Sequence, residues 1–594
     1  MKQDIRQRIA VINYDKCNPK KCGNWLCEQV CPVNRAAKQC ISHAENEKPN
    51  ISEDLCIGCL ICEKKCPFNA ISIVNLSISL KQPVHSFGKN MFRLHRLPLP
   101  RQGNVVGLVG QNGIGKTTAL RILSTELVPN LGAVDEKASW QKVIEFFRGK
   151  EEQAFFEKLS AGKIRASVKP QAVDKLPKIV HGRVADLLRR VDEGKKLQEI
   201  AAALQIEPIM QQKVSELSGG ELQKTAIAAA ALKEADVYFF DEPSSYLDIR
   251  QRMNVGAFIR KIAESGKSVI VVEHDLILLD YLSDFVHLMY GKPAVFGIVS
   301  QVKTTREGIN TYLDGYSKEE NYRFRSYAIE FSEREAKKTR HGDVLVQWPA
   351  LRKKLGRFEL HADASGINRN EVVGILGPNA TGKTTFVKML AGEIKPDNCK
   401  VDLHLKVAYK PQYLSVESRE TVQEMLLREK IDLSDAGVQS NVIRPLAIDA
   451  LMEKNLGILS GGELQRCAIA STLLRESDLI LMDEPSAHLD VEQRLAVAKA
   501  IRSVVDVKGK SAFIVDHDLL FLDYIADRLM VFSGEAARSG KAEGPFSMEE
   551  GMNRLLQQLG ITLRRDKNSK RPRVNKLDSV LDREQKEKGK YYYA

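Results

Sequence analysis

The chain has 594 residues, of which 43% are apolar, and this length exceeds what one hydrophobic core can organise, so roughly three or four domains are expected. No stretch approaches the roughly 18 uncharged apolar residues of a membrane span, and Met1–Arg6 lacks the apolar core of a signal peptide. Composition therefore excludes a membrane protein and a secreted one and points to a soluble, cytosolic chain, while the formal charge of +13 points to a polyanionic partner.

The first 75 residues hold nine of the eleven cysteines, between Cys17 and Cys66. In a reducing compartment such density indicates metal ligation rather than disulfides. Cys56-x2-Cys59-x2-Cys62-x3-Cys66-Pro67 has the spacing that surrounds a [4Fe–4S] cube in bacterial ferredoxins. Cys17-x4-Cys22-x4-Cys27-x3-Cys31-Pro32 is looser but ends in the same way. With the crossed ligation of two-cluster ferredoxins, one cube takes Cys17, Cys22, Cys27 and Cys66, and the other takes Cys56, Cys59, Cys62 and Cys31. Zinc, which prefers paired cysteines closing a tetrahedron, is the alternative. Cys40 has no assigned role, Cys399 and Cys467 read as core thiols, and Ala70–Val74 reads as a short strand.

Residues 76–315 form a first lobe and 345–560 a second, because the same motifs occur twice. Val105–Val109 and Val372–Leu376 are apolar strands, each followed by a Gly-x4-Gly-Lys-Thr loop and an apolar helix. Such a loop turns backbone N–H groups and a helix N-terminus toward phosphate oxygens. Its residues are Gly110, Asn112, Gly113, Gly115, Lys116, Thr117 and Thr118 in the first copy. In the second they are Gly377, Asn379, Gly382, Lys383, Thr384 and Thr385, and Ala380 replaces Gly113. Lys116 and Lys383 would reach the β/γ-phosphates of ATP, and Thr117 and Thr384 would hold Mg²⁺. The buried strands Val237–Phe240 and Leu479–Met482 end in Asp241 and Asp483, which would hold Mg²⁺ as well. The next residues, Glu242 and Glu484, are placed to deprotonate the attacking water. Gln171 and Gln412 recur as sensors of Mg²⁺ and water, and His274 and His517 recur after strand patterns, within reach of the γ-phosphate. Aromatic residues upstream of each phosphate loop are candidates to stack on adenine: Phe87 or Phe92 in the first lobe and Trp348 in the second.

Leu217-Ser218-Gly219-Gly220-Glu221 and Leu459-Ser460-Gly461-Gly462-Glu463 recur at the same offset of 242 residues as the two carboxylate pairs. With these segments the chain resembles the ABC family of ATPases. Apolar strands alternating with helices indicate an α/β fold, here two ABC-type P-loop ATPase domains in tandem, preceded by the α+β ferredoxin-like two-cluster iron–sulfur domain that the cysteine spacing indicates. The resemblance implies lobes facing head to tail, so that Ser460, Gly461 and Gly462 close ATP on the first loop. Ser218, Gly219 and Gly220 would then close ATP on the second.

Between phosphate loop and glutamine the first lobe has 61 residues and the second 35. The surplus, near 138–162, shows helical spacing at Val143, Ile144 and Phe147 and at Phe155, Phe156 and Leu159, broken by Gly149. It reads as a helix-loop-helix that either packs on its own lobe or docks a partner. Residues 316–344 read as a linker. Residues 561–594 form a basic hinge or tail, with eleven Lys/Arg against five Asp/Glu from Arg564, either solvated or bound to a polyanion.

The order of ferredoxin domain, two ABC lobes, insert and basic tail closely resembles the RNase L inhibitor family, subfamily E of the ABC class. Phe92–Pro98, Asp241–Asp248, Arg306–Asn310 and Arg571–Lys576 carry the likeness further. The resemblance implies splitting of ribosomes after termination, with a release factor or its rescue paralogue. It also implies a stay on the small subunit, with its rRNA and ribosomal proteins, into work with initiation factors. A contribution to ribosome biogenesis and export would place a nuclear pool beside the cytoplasmic one. The ATPase pair of a transporter and a redox protein driven by ATP are the rival classes. Three positions break the symmetry of the repeat: Ala380, His488 against Tyr246, and Asp516 against Glu273. The family's spacing has three residues where four separate Cys22 from Cys27 here, which leaves Cys27 the least regular of the ligands.

Overall fold

The computed structural model of the protein describes residues 7–43, 47–76, 82–325, 327–329, 331, 344–399, 404–412 and 420–592. Residues 77–81 lie outside them, as do 332–343 of the expected linker. The linker's first part is a small hairpin, with Tyr316–Ser317 paired to Tyr322–Arg323.

In the N-terminal domain Gln7–Ile12 pairs antiparallel with Ile71–Leu76, and a second hairpin joins Ile41–His43 to Pro49–Ile51. Helices of four or five residues, Leu26–Gln29, Pro32–Arg35 and Ile61–Lys65, carry or follow the cysteines. The small core is Ala10, Ile12, Ile41, Ile51, Ile71 and Ile73, packed directly against Cys31, Cys40, Cys56 and Cys62.

Each lobe is built on one twisted sheet. In the first, Val105–Gly110 lies between Ser268–Val272 and Phe285–Lys292, parallel to both, and Val237–Asp241 and Ala166–Lys169 continue the parallel part. The second repeats it, with Val372–Leu376 between Ser511–Val515 and Arg528–Ser533, then Leu479–Asp483 and Val407–Lys410. These strands are almost continuous apolar runs because helices cover both faces. Each phosphate loop follows the central strand, at the point where the chain order of the strands reverses and a crevice opens beyond their carboxyl ends. Each antiparallel edge, such as His85–Ser86 with Arg93–His95, brings an aromatic segment alongside that crevice.

The surplus in the first lobe forms two helices, Trp140–Phe146 and Glu151–Ser160, separated at Gly149 with φ +79°. Phe147 and Phe156 stack at 5.3 Å and Trp140 and Phe156 at 5.7 Å. These rings join the core that lies under the first phosphate loop.

The C-terminal segment departs from the reading as solvated tail. Leu563–Arg565 pairs with Pro572–Val574, and a helix runs over Val580–Glu587. The basic residues turn inward: the Arg571 side chain is 0% exposed and pairs with Asp280 of the first lobe at 3.2 Å. Arg573 grips the same carboxylate with two N–H groups, at 2.6 and 2.9 Å. Arg306 and Asn310 of the first lobe donate to Asp566, while Arg565 and Tyr592 reach Asp523 of the second. The segment is a clasp between lobes. Among the described residues no helix is long and apolar enough to cross a membrane.

Candidate functional site

One cleft of about 1750 Å³ runs between the lobes and is lined by the phosphate loops and signature segments of both. Every nucleotide-binding residue expected from the sequence borders it except Trp348 and the loop glycines Gly110 and Gly377, which sit where the central strands end. The head-to-tail arrangement is visible in direct bonds. The Asn112 backbone N–H donates to Asp490 of the opposite lobe at 2.9 Å, and the Asn379 N–H donates to Asp248 at 2.9 Å.

In each half the phosphate loop is drawn tight around its lysine. Lys116 donates to the Gly110 and Gln111 carbonyls at 2.8 Å, and Lys383 to those of Gly377 and Pro378 at 2.9 and 2.7 Å. Burial lowers both ammonium pKa values, that of Lys383 to about 8, and a polyphosphate beside them would restore the charge. The residues expected to hold Mg²⁺ are adjacent: Thr117 donates to Asp241 at 2.8 Å and Thr384 to Asp483 at 2.5 Å. Burial and then the neighbouring Glu242 push the Asp241 carboxyl up to about 6, a charge deficit that a divalent cation would relieve. A hydroxyl and a carboxylate at the end of a buried strand form a donor set that suits Mg²⁺.

Gln171 donates to Glu242 at 2.6 Å and Gln412 to Glu484 at 2.8 Å. His274 Nε2 stands 3.6 Å from the Glu242 carboxylate, and His517 Nε2 stands 3.7 Å from that of Glu484. Both histidines are fully buried, and burial followed by the nearby lysine holds them neutral, well below the usual imidazole range. Among the described residues neither ring nitrogen of either histidine has a hydrogen-bond partner. A buried, unpaired imidazole beside a carboxylate is the cradle a terminal phosphate fits. Glu242 and Glu484 each adopt φ +49°, a strained conformation of the kind that clusters at functional sites. Burial, then Asp483 and Asp516, raise the Glu484 carboxyl to about 7. A base in that range is matched to neutral pH. Ser218 and Ser460 cap the helices Gly219–Ala231 and Gly461–Leu474 and share a capping box with Glu221 and Glu463.

The three breaks in symmetry have separate outcomes. Asp516 does the work of Glu273: each carboxylate accepts from the backbone of a serine in the preceding loop, Ser486 or Ser244, and from the histidine turn. Asp516 adds a bond from the Ser486 hydroxyl at 2.7 Å. Tyr246 and His488, which stand against the signature glycines of their own lobes, meet edge to face across the interface at 6.0 Å. Ala380 has φ +58° where Gly113 has φ +75°. A Cβ on Gly113 would find only ordinary contacts, at 3.6 Å or more, so the second loop carries backbone strain without a clash.

Trp348 is not an adenine platform. It is 2% exposed and packs edge-on against Phe386 and Phe513 in the core of the second lobe. The counterpart of Phe92 is Phe358, which the sequence reading missed. A Cβ on Gly115 would lie 2.8 Å from the Phe92 ring, and one on Gly382 lies 2.8 Å from Phe358. The signal was present: Phe358 precedes Gly382 by 24 residues and Phe92 precedes Gly115 by 23. Phe87, 45% exposed, borders the first half of the cleft beside Phe92.

A second contribution carried no signal in the sequence. Ile12, Asn13, Tyr14 and Asp15 of the cysteine domain line the cleft beside Phe87 and Met91. Asn90, 3% exposed, pins that domain there. Its amide donates to the Ala10 carbonyl at 2.8 Å and the Ile51 carbonyl at 3.0 Å, and accepts from the Ile51 N–H at 2.9 Å. The ion pairs Arg93–Glu53 at 2.9 Å and Lys292–Glu63 at 2.8 Å flank it.

The cysteines fall into two groups. Cys27 feels the charges of Cys17, Cys22 and Cys66, and burial with that repulsion pushes its thiol up to about 12. Cys31, Cys56, Cys59 and Cys62 line one small cavity with Val33, Ile41, Ile51, Ile57 and Ile73. Crowded, half-buried sulfurs in apolar walls fit a [4Fe–4S] cluster, whose iron would offset the negative charge. The grouping brings each run of three near the fourth cysteine of the other run, with Cys27 among Cys17, Cys22 and Cys66. Cys40 is buried among the second group and lines the same cavity.

The ABC transporter family model matches residues 100–245 and 360–487. A possible Fer4-like domain of RNase L inhibitor matches residues 7–39, and a 4Fe–4S binding domain matches 49–72. The chain is 50% identical over 592 residues to an uncharacterized ABC transporter ATP-binding protein of Methanocaldococcus jannaschii, covering 99% of this chain and 98% of that one. It is 44% identical over 601 residues to the translation initiation factor RLI1 of Saccharomyces cerevisiae, covering 99% of both. A chain in the solved structure of ribosome-bound archaeal Pelota and ABCE1 is similar at a TM-score of 0.94 and 54% identity. That match covers 99% of this chain and 100% of the other.

Proposed function

This chain belongs to the RNase L inhibitor family, subfamily E of the ABC-class ATPases, and from that premise we propose that it is an ATP-driven ribosome-recycling factor. It is an ATP hydrolase with two composite sites, and it carries two [4Fe–4S] clusters. Closure of the lobes on two ATP molecules drives the splitting of ribosomes into subunits. A release factor or its Pelota-type paralogue is present on the other face of the task, and initiation factors meet the protein afterwards on the small subunit. The work is cytoplasmic, with a nuclear pool engaged in ribosome biogenesis and export.

The observation that carries this reading is the docking of the cysteine domain on the rim of the first ATP site through Asn90. A stiff domain fixed at the edge of a closing cleft is displaced when the cleft shuts, which converts ATP binding into force on whatever the domain touches. Cys17, the first expected cluster ligand, lies two residues beyond Asp15 of the cleft wall. The two assigned carboxylates Glu242 and Glu484 serve as the general bases whose action ends the closed state. The test is sedimentation of the purified protein with ribosomal subunits after Glu242→Gln and Glu484→Gln together. The doubly substituted protein, given ATP, should stay with the small subunit, and absence from every ribosomal fraction would overturn the reading.

A further inference from the structure

Two arginines, Arg252 and Arg494, stand where the lobes meet, and nothing above gives them a task. Arg252 lies on the helix Ile249–Glu264, one turn after Asp248, so both side chains leave the same face. Asp248 reaches across to the Asn379 N–H in the second phosphate loop. The Arg252 guanidinium donates through one nitrogen to Asp275 of its own lobe at 2.8 Å and to the His517 carbonyl of the other lobe at 3.4 Å. Its Nε donates to the Leu247 carbonyl at 2.9 Å, which fixes the plane of the group.

Asp275 is the residue after His274. It caps the helix Leu276–Leu282 by accepting from the Ile277 and Leu278 N–H groups at 3.0 Å. One guanidinium therefore touches the histidine turn of both hydrolytic centres. The pseudo-symmetric Arg494 donates to Asp518, next to His517, at 2.6 Å and to the Leu489 carbonyl at 2.9 Å. Its charge bears on His274 and Asp275 of the first lobe. Both ion pairs are largely sheltered, with side-chain exposure of 15% or less in every member. Sheltered charge pairs are screened little and fix geometry over a short range.

We propose that Arg252 is a positioning residue that couples the two ATP sites, holding the His517 turn in place only while the lobes are together and tying it to Asp275 beside His274. Parting of the lobes at either site draws the guanidinium away from the His517 carbonyl while its bond to Asp275 stays, so the histidine of the second site loses its support. Hydrolysis at the second centre is thereby made conditional on closure at both. The inference rests on ATP hydrolysis at the two sites and makes no use of the ribosome, so its failure would leave the recycling function standing.

The test is steady-state ATP hydrolysis by the isolated full-length protein. With Glu242→Gln or Glu484→Gln made singly, each chain turns over one site. Independent sites would make the unsubstituted rate the sum of the two single-site rates. We expect that rate to depart from the sum, and the departure to vanish when Arg252→Gln is added to all three chains. In the Glu242→Gln chain, Arg252→Gln should lower kcat about tenfold, as expected for a displaced catalytic group, and leave KM within about twofold. Arg252→Lys keeps a charge beside Asp275 and the fold with it. Its single ammonium cannot serve both turns, so additive rates are expected there too, with kcat partly restored. The proposal is overturned if the unsubstituted chain is already additive, if non-additivity survives in Arg252→Lys, or if Arg252→Gln leaves kcat unchanged.

Discussion

Burial and two neighbouring carboxylates raise Glu484 to about 7, so its pH dependence is open to measurement. A base must be unprotonated, and a raised pKa means that protonation persists to higher pH than in an ordinary glutamate. In the Glu242→Gln chain, where only the second site turns over, kcat should rise with pH through about 7 and level above it; a flat profile between pH 6 and 8 would refute the role. Glu484→Gln should lower turnover at that site by about 10²-fold or more while ATP binding persists, as titration with a fluorescent nucleotide would check. The two sites are also held differently. Gln111 bonds Glu492, which Arg325 pairs at 3.2 Å, whereas Pro378 replaces Gln111 in the second loop and Arg250 stands in for Glu492. Glu242→Gln and Glu484→Gln made singly should therefore give different steady-state rates. Ala380 holds a left-handed backbone that costs an L-residue roughly 1–2 kcal/mol. Ala380→Gly should raise the unfolding free energy of the second lobe by about 1 kcal/mol in urea. At this scale the sequence was readable wherever a residue type recurs at a matched position, as Gln171 and Gln412 do. It was not readable at Asn90, whose value lies in backbone groups of Ala10 and Ile51 that folding alone brings to it.

Among the elements, the strands, phosphate loops and signature helices were legible because apolar runs, glycines and helix caps are local chemistry. The helix-loop-helix was legible for the same reason, and its rings pack inward on one another. Trp348 misled because an aromatic side chain before a strand looks alike whether it faces a ligand or the core; the register of Val344–Trp348 against Ser365–Asn368 decides it. The C-terminal segment misled because charge counted along a chain says nothing of where the counter-charges lie. Asp280 is 291 residues from Arg571. In this clasp two arginines share one sheltered carboxylate. Arg573 also pairs with Asp566 at 3.3 Å, but among the described residues Arg571 has Asp280 alone as its ion-pair partner. Removing one member of a buried pair strands the other. Asp280→Ala should lower stability by about 3–5 kcal/mol, seen as a shift of the denaturation midpoint, and Asp280→Glu should recover part of it. A loss below about 1 kcal/mol would mean that the clasp is ornamental.

For the whole molecule, the head-to-tail lobes and the docked cysteine domain form one device around one cleft. Iron and acid-labile sulfide should each be found at about eight per chain, the content of two four-iron cubes; zinc in their place would remove the basis for a cluster domain. Deletion of residues 1–75 should leave basal ATP hydrolysis largely intact and abolish subunit splitting, followed as a fall in light scattering with release factor and ATP. Splitting at the full-length rate would show that the domain is not the lever. The clasp has a further consequence for how the protein could be made. A chain divided anywhere within 332–343 would give two pieces, and the second would carry Asp566, Arg571 and Arg573, the partners of Asp280, Arg306 and Asn310 on the first. Those pieces should find one another without a peptide bond between them, as a two-part protein whose assembly weakens on dilution once the linker no longer sets the local concentration.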